Sequence, residues 1–228
     1  MQLHLFSTPG ENDIRYILEA SRPYLKDKDD PVVAYMPLAS LYAERWIEFN
    51  EREFRGLARL ETVNAELMTR KEIEAVLREA ALVYVPGGNT FLLNHRLHIS
   101  GVMPYLRKKV QAGLPFVGFS AGTILCGPNI LTSKDLNTVG TPHFEGLNVV
   151  PFNFLVHYDG DEYGQSAVHD EWLSDYQFFH DNPVVMLCDG AYVKVDGKKT
   201  TLVRGNAWIL RKGAEEKERL EPGKAIVP

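Results

Sequence analysis

The stretch Leu114-Pro115-Phe116-Val117-Gly118-Phe119-Ser120-Ala121-Gly122 decides the fold. It opens as a short apolar run bounded by Pro115, the signature of a buried strand. It closes as G-x-S-x-G and passes into a helical segment, 121–126. A serine at so tight a strand-to-helix turn sits in a strained backbone conformation. Flanking glycines are required because a Cβ would clash as the chain reverses. With 18 glycines in the chain, about 0.05 such matches are expected by chance. The same residues also fit a glycine-rich helix start with an N-capping serine.

Outward from this turn, strand and helix signals alternate. Leu3 to Phe6, Val32 to Met36 and Ala81 to Val85 are apolar strands. Helical spacing covers Glu11 to Leu25, Leu41 to Leu57 and the stretch from Thr90 to Gln111. Thr69 with Glu72 forms a capping box that opens another helix. Such alternation predicts an α/β protein with a largely parallel, doubly wound sheet flanked by helices. The last third reads differently. Leu147 to Tyr158 is strand-like, Val168 to Phe179 helical, and four short strands follow between Val184 and Arg211, with Asp196-Gly197 as a hairpin turn. These predict an antiparallel appendage on the sheet. No linker or composition shift divides residues 1–228, so one domain is expected.

Composition narrows the function. The chain has 228 residues, a net charge of −5 and no basic excess, so a nucleic-acid partner is not expected. No apolar run approaches the ~18 residues of a membrane span. The N-terminus, Met1-Gln2-Leu3-His4-Leu5-Phe6, reads as a strand rather than a signal peptide. Cys126 and Cys188 form neither a metal-type pair nor a disulfide framework. A soluble cytoplasmic protein without cofactor or metal is the expectation, and nothing decides between monomer and homodimer.

A nucleophilic serine needs a base, and the base needs an orienting acid. Among seven histidines, His4, His95 and His98 read as packing or surface residues, and His143 lies in a Thr-Pro-His-Phe loop. His157 closes the run Asn153-Phe154-Leu155-Val156, where a polar residue would face the sheet edge. Acid candidates are Asp135, Asp159, Asp161 and Asp189, the last ending a strand before Gly190. Asp159, Asp161 and Glu162 read better as a solvated acidic loop than as a calcium site. Gly87-Gly88-Asn89-Thr90 follows another strand. It could bring the Gly88 amide to a substrate, or it could be a simple turn capped by Asn89 or Thr90.

Taken together, Val85-Pro86-Gly87-Gly88-Asn89-Thr90-Phe91-Leu92-Leu93, Gly118 to Gly122, Leu147 to His157 and Leu187-Cys188-Asp189-Gly190 resemble the peptidase E family of serine peptidases, which includes aspartyl dipeptidases and cyanophycinase-like enzymes. The motifs span roughly Leu82 to Leu202. The resemblance implies a class I glutamine amidotransferase-like fold and hydrolysis of short peptides. It implies Ser120 as nucleophile, His157 as general base, Gly88 and Ala121 amides as oxyanion hole, and Asn89, Thr90 and His169 near the substrate. Asp189 stands where the family usually carries glutamate; Asp135 matches another acidic position of the family. The family's arginine-bearing segment reads Gly164-Gln165-Ser166-Ala167-Val168-His169 here, without arginine. Strict preference for N-terminal aspartate is therefore expected to be lost or altered. An esterase of the α/β-hydrolase type and a non-catalytic ligand-binding relative are the alternatives.

Overall fold

The computed structural model describes residues 1–8, 14–158 and 166–228, with the backbone alone at 166 and 167. Five strands form the parallel part of the main sheet: β1 (Gln2–Phe6), β2 (Val32–Tyr35), β3 (Arg59–Thr62), β4 (Leu82–Val85) and β5 (Phe116–Phe119). Their spatial order is β3-β2-β4-β5-β1. The connecting helices are α1 (Ile14–Leu25), α2 (Glu44–Phe54), α3 (Arg70–Glu79), α4 (Thr90–Ile99) and α5 (Met103–Gln111). The Thr69 capping box forms as read: the Thr69 amide donates to Glu72 Oε2 at 2.7 Å. The helical pattern up to Gln111 is two helices, broken at Gly101 where φ is +69°.

Side chains alternate along the strands and supply two cores. Leu3 and Leu5 of β1 face α3 to α5 and a second layer, with Val83, Val85 and Phe116. Phe6 faces α1 and α2, with Val33, Tyr35, Tyr84 and Val117. Apolar residues on both faces of β1, β2, β4 and β5 are the physical cause of a sheet covered on both sides.

The C-terminal third departs from the simple appendage. The hairpin β8 (Tyr192–Asp196) and β9 (Lys199–Arg204) does extend the main sheet antiparallel beside β1, turning at Gly197. The other strands build a separate four-stranded sheet ordered β11-β10-β7-β6. These are β6 (Asn153–Val156), β7 (Val184–Leu187), β10 (Ala207–Leu210) and β11 (Glu218–Leu220). β6 and β7 run parallel, and β10 and β11 pair antiparallel. The strand expected over Leu147 to Tyr158 is therefore short. The amides of Leu147 and Val149 bond the carbonyls of Leu125 and Cys126, and Asn148 takes a φ of +48°, so pairing begins only after Pro151. The second helix is also shorter than Leu41 to Leu57, and of its aromatic residues only Phe54 is fully buried. The helix expected from Val168 to Phe179 is α7 (Ser166–Phe179). Among the described residues no helix is long and apolar enough to cross a membrane.

His4 shows how a histidine is absorbed into packing. It is buried, with Nδ1 2.5 Å from the Tyr192 hydroxyl and Nε2 2.9 Å from the Tyr24 hydroxyl. Burial, aided by Lys194 and opposed by Asp196, lowers its pKa from 6.5 to about 4. Between those values the unfolded chain binds a proton that the folded chain refuses. Its contribution to stability is therefore complete above pH 6.5 and is lost as pH falls towards 4, by up to about 3 kcal/mol. The stability difference between wild type and His4→Asn, from urea unfolding, should shrink by that order between pH 7.5 and 4.5. A pH-independent difference would contradict the assignment.

Candidate active site

Ser120 stands between β5 and the short helix α6 (Ala121–Ile124), with φ +50° and ψ −115°. Its amide is held by the carbonyls of Phe6 and Ser7 at 3.0 and 2.9 Å, and Thr123 Oγ1 donates to Phe6 O at 2.7 Å. Ser120 makes no side-chain cap bond, so its hydroxyl is not used to start the helix. A Cβ at Gly122 would overlap the carbonyl oxygen of Val85 on the neighbouring strand. The turn thus forms only because residue 122 has no side chain.

The Ser120 hydroxyl donates to His157 Nε2 at 2.9 Å. His157 Nδ1 lies 2.6 Å from Asp189 Oδ1. A carboxylate only accepts, so Nδ1 carries the proton and Nε2 is free to accept. The second sheet explains how residues 32 apart in sequence meet. Val156 is paired with Leu187 in the parallel ladder, so the residues just beyond both strand ends share one edge. His157 itself has φ +55°; with Ser120 it accounts for two of the four non-glycine residues of positive φ among those described. Such strain persists where surrounding structure over-determines it, characteristically at functional sites. The hydrogen bond from His157 is the main cause that holds the Asp189 carboxyl below its ordinary pKa; partial burial opposes it, and Ser7 and Lys134 assist.

Asp135, the other acid considered, serves elsewhere. Its Oδ2 accepts from the Thr90 amide at 2.7 Å and from the Ser133 hydroxyl at 2.9 Å, at the start of α4. Asn89 is the N-cap of α4: Oδ1 accepts from the Leu92 amide and Nδ2 donates to Leu136 O. Thr90 is fully buried. Asn89 thus plays the capping role that the sequence left open, while the buried Thr90 hydroxyl has no hydrogen-bond partner among the described residues. Gly88 has φ +132°, and a Cβ there would stand 2.5 Å from Ala39 O. Among the described residues, neither the Gly88 nor the Ala121 amide donates to a loop or cap carbonyl. His169 is buried with Nε2 3.3 Å from Lys134 Nζ. Lysine has only donors, so in this contact the histidine nitrogen is the acceptor. Asp159, Asp161, Glu162 and the segment 164–165 lie outside the described residues.

One residue of the site was not singled out from sequence. Ser7, directly after β1, is buried, and its Oγ lies 3.1 Å from Leu187 O and 3.2 Å from Asp189 Oδ1. The same oxygen accepts from the His157 amide at 2.9 Å. A small hydroxyl residue at the C-terminal end of the strand beside β5 was the available signal, but its partners are about 150 to 180 positions away.

Fold and site together define a class: a doubly wound α/β protein with a serine on a strained elbow at the C-terminal sheet edge. Residues 5–203 match Peptidase family S51, and the chain belongs to that family. It is 38% identical over 160 residues to a probable alpha-aspartyl dipeptidase of Drosophila melanogaster, covering 68% of this chain and 67% of that one. It is 35% identical over 148 residues to peptidase E of Streptomyces coelicolor, covering 63% and 61%. The chain thus matches about three fifths to two thirds of the length of these relatives. Two solved structures share the fold. A peptidase from an acI-B1 Actinobacterium superposes with a TM-score of 0.71 at 17% identity, over 99% of this chain and 96% of that one. A peptidase E candidate from Listeria monocytogenes EGD-e gives 0.69 at 22% identity, over 92% and 98%.

Because Ser7 touches both His157 and Asp189 without facing the Ser120 hydroxyl, it acts as a positioning residue. Ser7→Ala should lower kcat roughly tenfold, the worth of one hydrogen bond at about 1.4 kcal/mol, with KM little changed. Ser7→Thr should recover part of the loss. An equal fall for both variants, tracking a fall in Tm, would reduce Ser7 to a structural role.

Proposed function

We propose that this chain hydrolyses short peptides as a serine peptidase with Ser120 as nucleophile, His157 as general base and Asp189 as the orienting acid. The observation that carries this reading is the unbroken line from Ser120 Oγ to His157 Nε2 and from His157 Nδ1 to Asp189. Its position supports it as well. The serine sits on the elbow at the edge where open α/β sheets bind ligands.

In this mechanism Ser120 Oγ attacks the peptide carbonyl as its proton passes to His157 Nε2. The carbonyl oxygen takes the negative charge, between the Gly88 and Ala121 amides, and Ala121 adds the N-terminal field of α6. Asp189 stabilises the imidazolium without itself taking the proton. The C–N bond then breaks as His157 returns the proton to the leaving amine. Water repeats the sequence on the acyl-enzyme, giving the acid product and free Ser120. No metal is needed for any of these steps.

The chain order is Ser120, His157, Asp189. The α/β-hydrolase order is serine, acid, histidine, which argues against the esterase alternative. The absence of an arginine from residues 164–169 supports a peptidase without strict aspartate preference.

On a dipeptide panel with EDTA present, Ser120→Ala should lose measurable turnover. Asp189→Asn should cost on the order of 10⁴-fold in kcat, since amide donation would fix the wrong tautomer. Asp135→Asn, which touches only the α4 cap, should cost far less. The reverse ranking of the two aspartates would overturn the assignment of the acid, and chelator-sensitive turnover would overturn the mechanism.

A further inference from the structure

A cleft of about 630 Å³ opens beside Ser120. Its walls are aromatic: Tyr35 from β2, Trp46 and Phe49 from α2, Tyr84 from β4 and Phe119 from β5. The described residues that line it include no Asp, Glu, Lys or Arg. Its aromatic rings contact one another in sequence. Tyr35 and Tyr84 have centroids 5.2 Å apart, Tyr84 and Phe119 6.4 Å, and Trp46 and Phe49 stand perpendicular at 6.2 Å. Trp46 is 58% exposed, although it lies on the side of α2 that borders the cleft. A large aromatic ring held half in water beside a concave apolar wall is the composition of a ligand pocket.

A second observation points the same way. Asn50 also lines the cleft and is 4% exposed. Its Nδ2 donates to the Tyr35 hydroxyl at 3.1 Å and to Trp46 O at 2.7 Å, which fixes the orientation of the amide. Its Oδ1 is buried with no hydrogen-bond partner. An unmet acceptor of this kind is costly unless a ligand donor reaches it.

We infer that this cleft receives the side chain of the residue that becomes the acyl group, and that it selects a large apolar side chain, above all an aromatic one. The inference rests on Ser120 being the nucleophile of a peptidase. The acyl side follows from the walls. Gly87, Gly88, Phe119 and Ser120 line the cleft together, so a carbonyl held between Ser120 Oγ and the Gly88 amide carries its own α-carbon towards it. Aspartate is disfavoured there, because its carboxylate would be desolvated among rings with no Lys or Arg among the described lining residues to pair with it.

The test is kcat/KM for Phe-Leu, Tyr-Leu, Ala-Leu, Asp-Leu and the reversed Leu-Phe, with Ser120→Ala as control. Phe-Leu and Tyr-Leu should exceed Asp-Leu and Ala-Leu by about 10²-fold, the order that an apolar pocket can provide. Trp46→Ala, on an exposed helix face, should lower the Phe-Leu to Ala-Leu ratio about tenfold. Asp-Leu equal to or better than Phe-Leu overturns the inference and leaves the serine peptidase reading standing. Preference for Leu-Phe over Phe-Leu overturns it too, by placing the cleft on the leaving-group side. Failure to cleave any peptide removes the peptidase reading, and this inference with it. An unchanged ratio in Trp46→Ala overturns the role of the aromatic wall.

Discussion

Val85 and Gly122 approach so closely that no side chain fits between them. That approach is set by the parallel pairing of β4 with β5, where Val85 is opposite Gly118. The chain leaving β5 must turn back over its neighbour at once, and the turn forces Ser120 into positive φ. Two consequences follow from this one constraint. The Ser120 hydroxyl is lifted clear of the sheet rather than used as a cap, and the Ala121 amide is left at a helix start with no earlier carbonyl to take it. The proposed nucleophile and the proposed oxyanion donor are thus products of the same close packing.

The partner groups come from a different layer. The parallel pair β6 and β7 ends beside the elbow, and His157 and Asp189 follow those two strands. No disulfide fixes this second sheet against the first. The shared core does so, with Leu3, Leu5 and Val85 packed in one cluster with Phe154, Val156 and Leu187. Ser7 adds a polar link, bridging the end of β1 to the His157 amide and to Leu187. Small movements between layers would lengthen the Ser120–His157 bond, so a buried hydroxyl at this joint has more influence than its single side chain suggests.

Local features were legible in the sequence. The elbow, the Thr69–Glu72 capping box and the Asp196–Gly197 hairpin all depend on neighbours within a few residues, and each is present where it was read. The closing of a strand by His157 and of another by Asp189 was legible for the same reason. Non-local features were not. β3 reads Arg59-Leu60-Glu61-Thr62, an edge strand whose polar pattern carries no burial signal. β11, Glu218–Leu220, is equally short and polar. The division of the late strands between two sheets depends on pairings across long sequence separations, as β1 with β8 shows. The cleft was hidden too, because its walls come from α2, β2, β4 and β5. Trp46 and Phe49 fall within the helical spacing of Leu41 to Leu57, and only the fold shows that they border Ser120.

The most direct test of the central claim is the site at which a fluorophosphonate adds, read by mass spectrometry of the intact chain and its peptides. The expected result is one adduct per chain, on Ser120, formed much more slowly in His157→Ala. An unlabelled Ser120, or labelling that does not depend on His157, would contradict the claim that the elbow, the histidine and Asp189 form a working nucleophile.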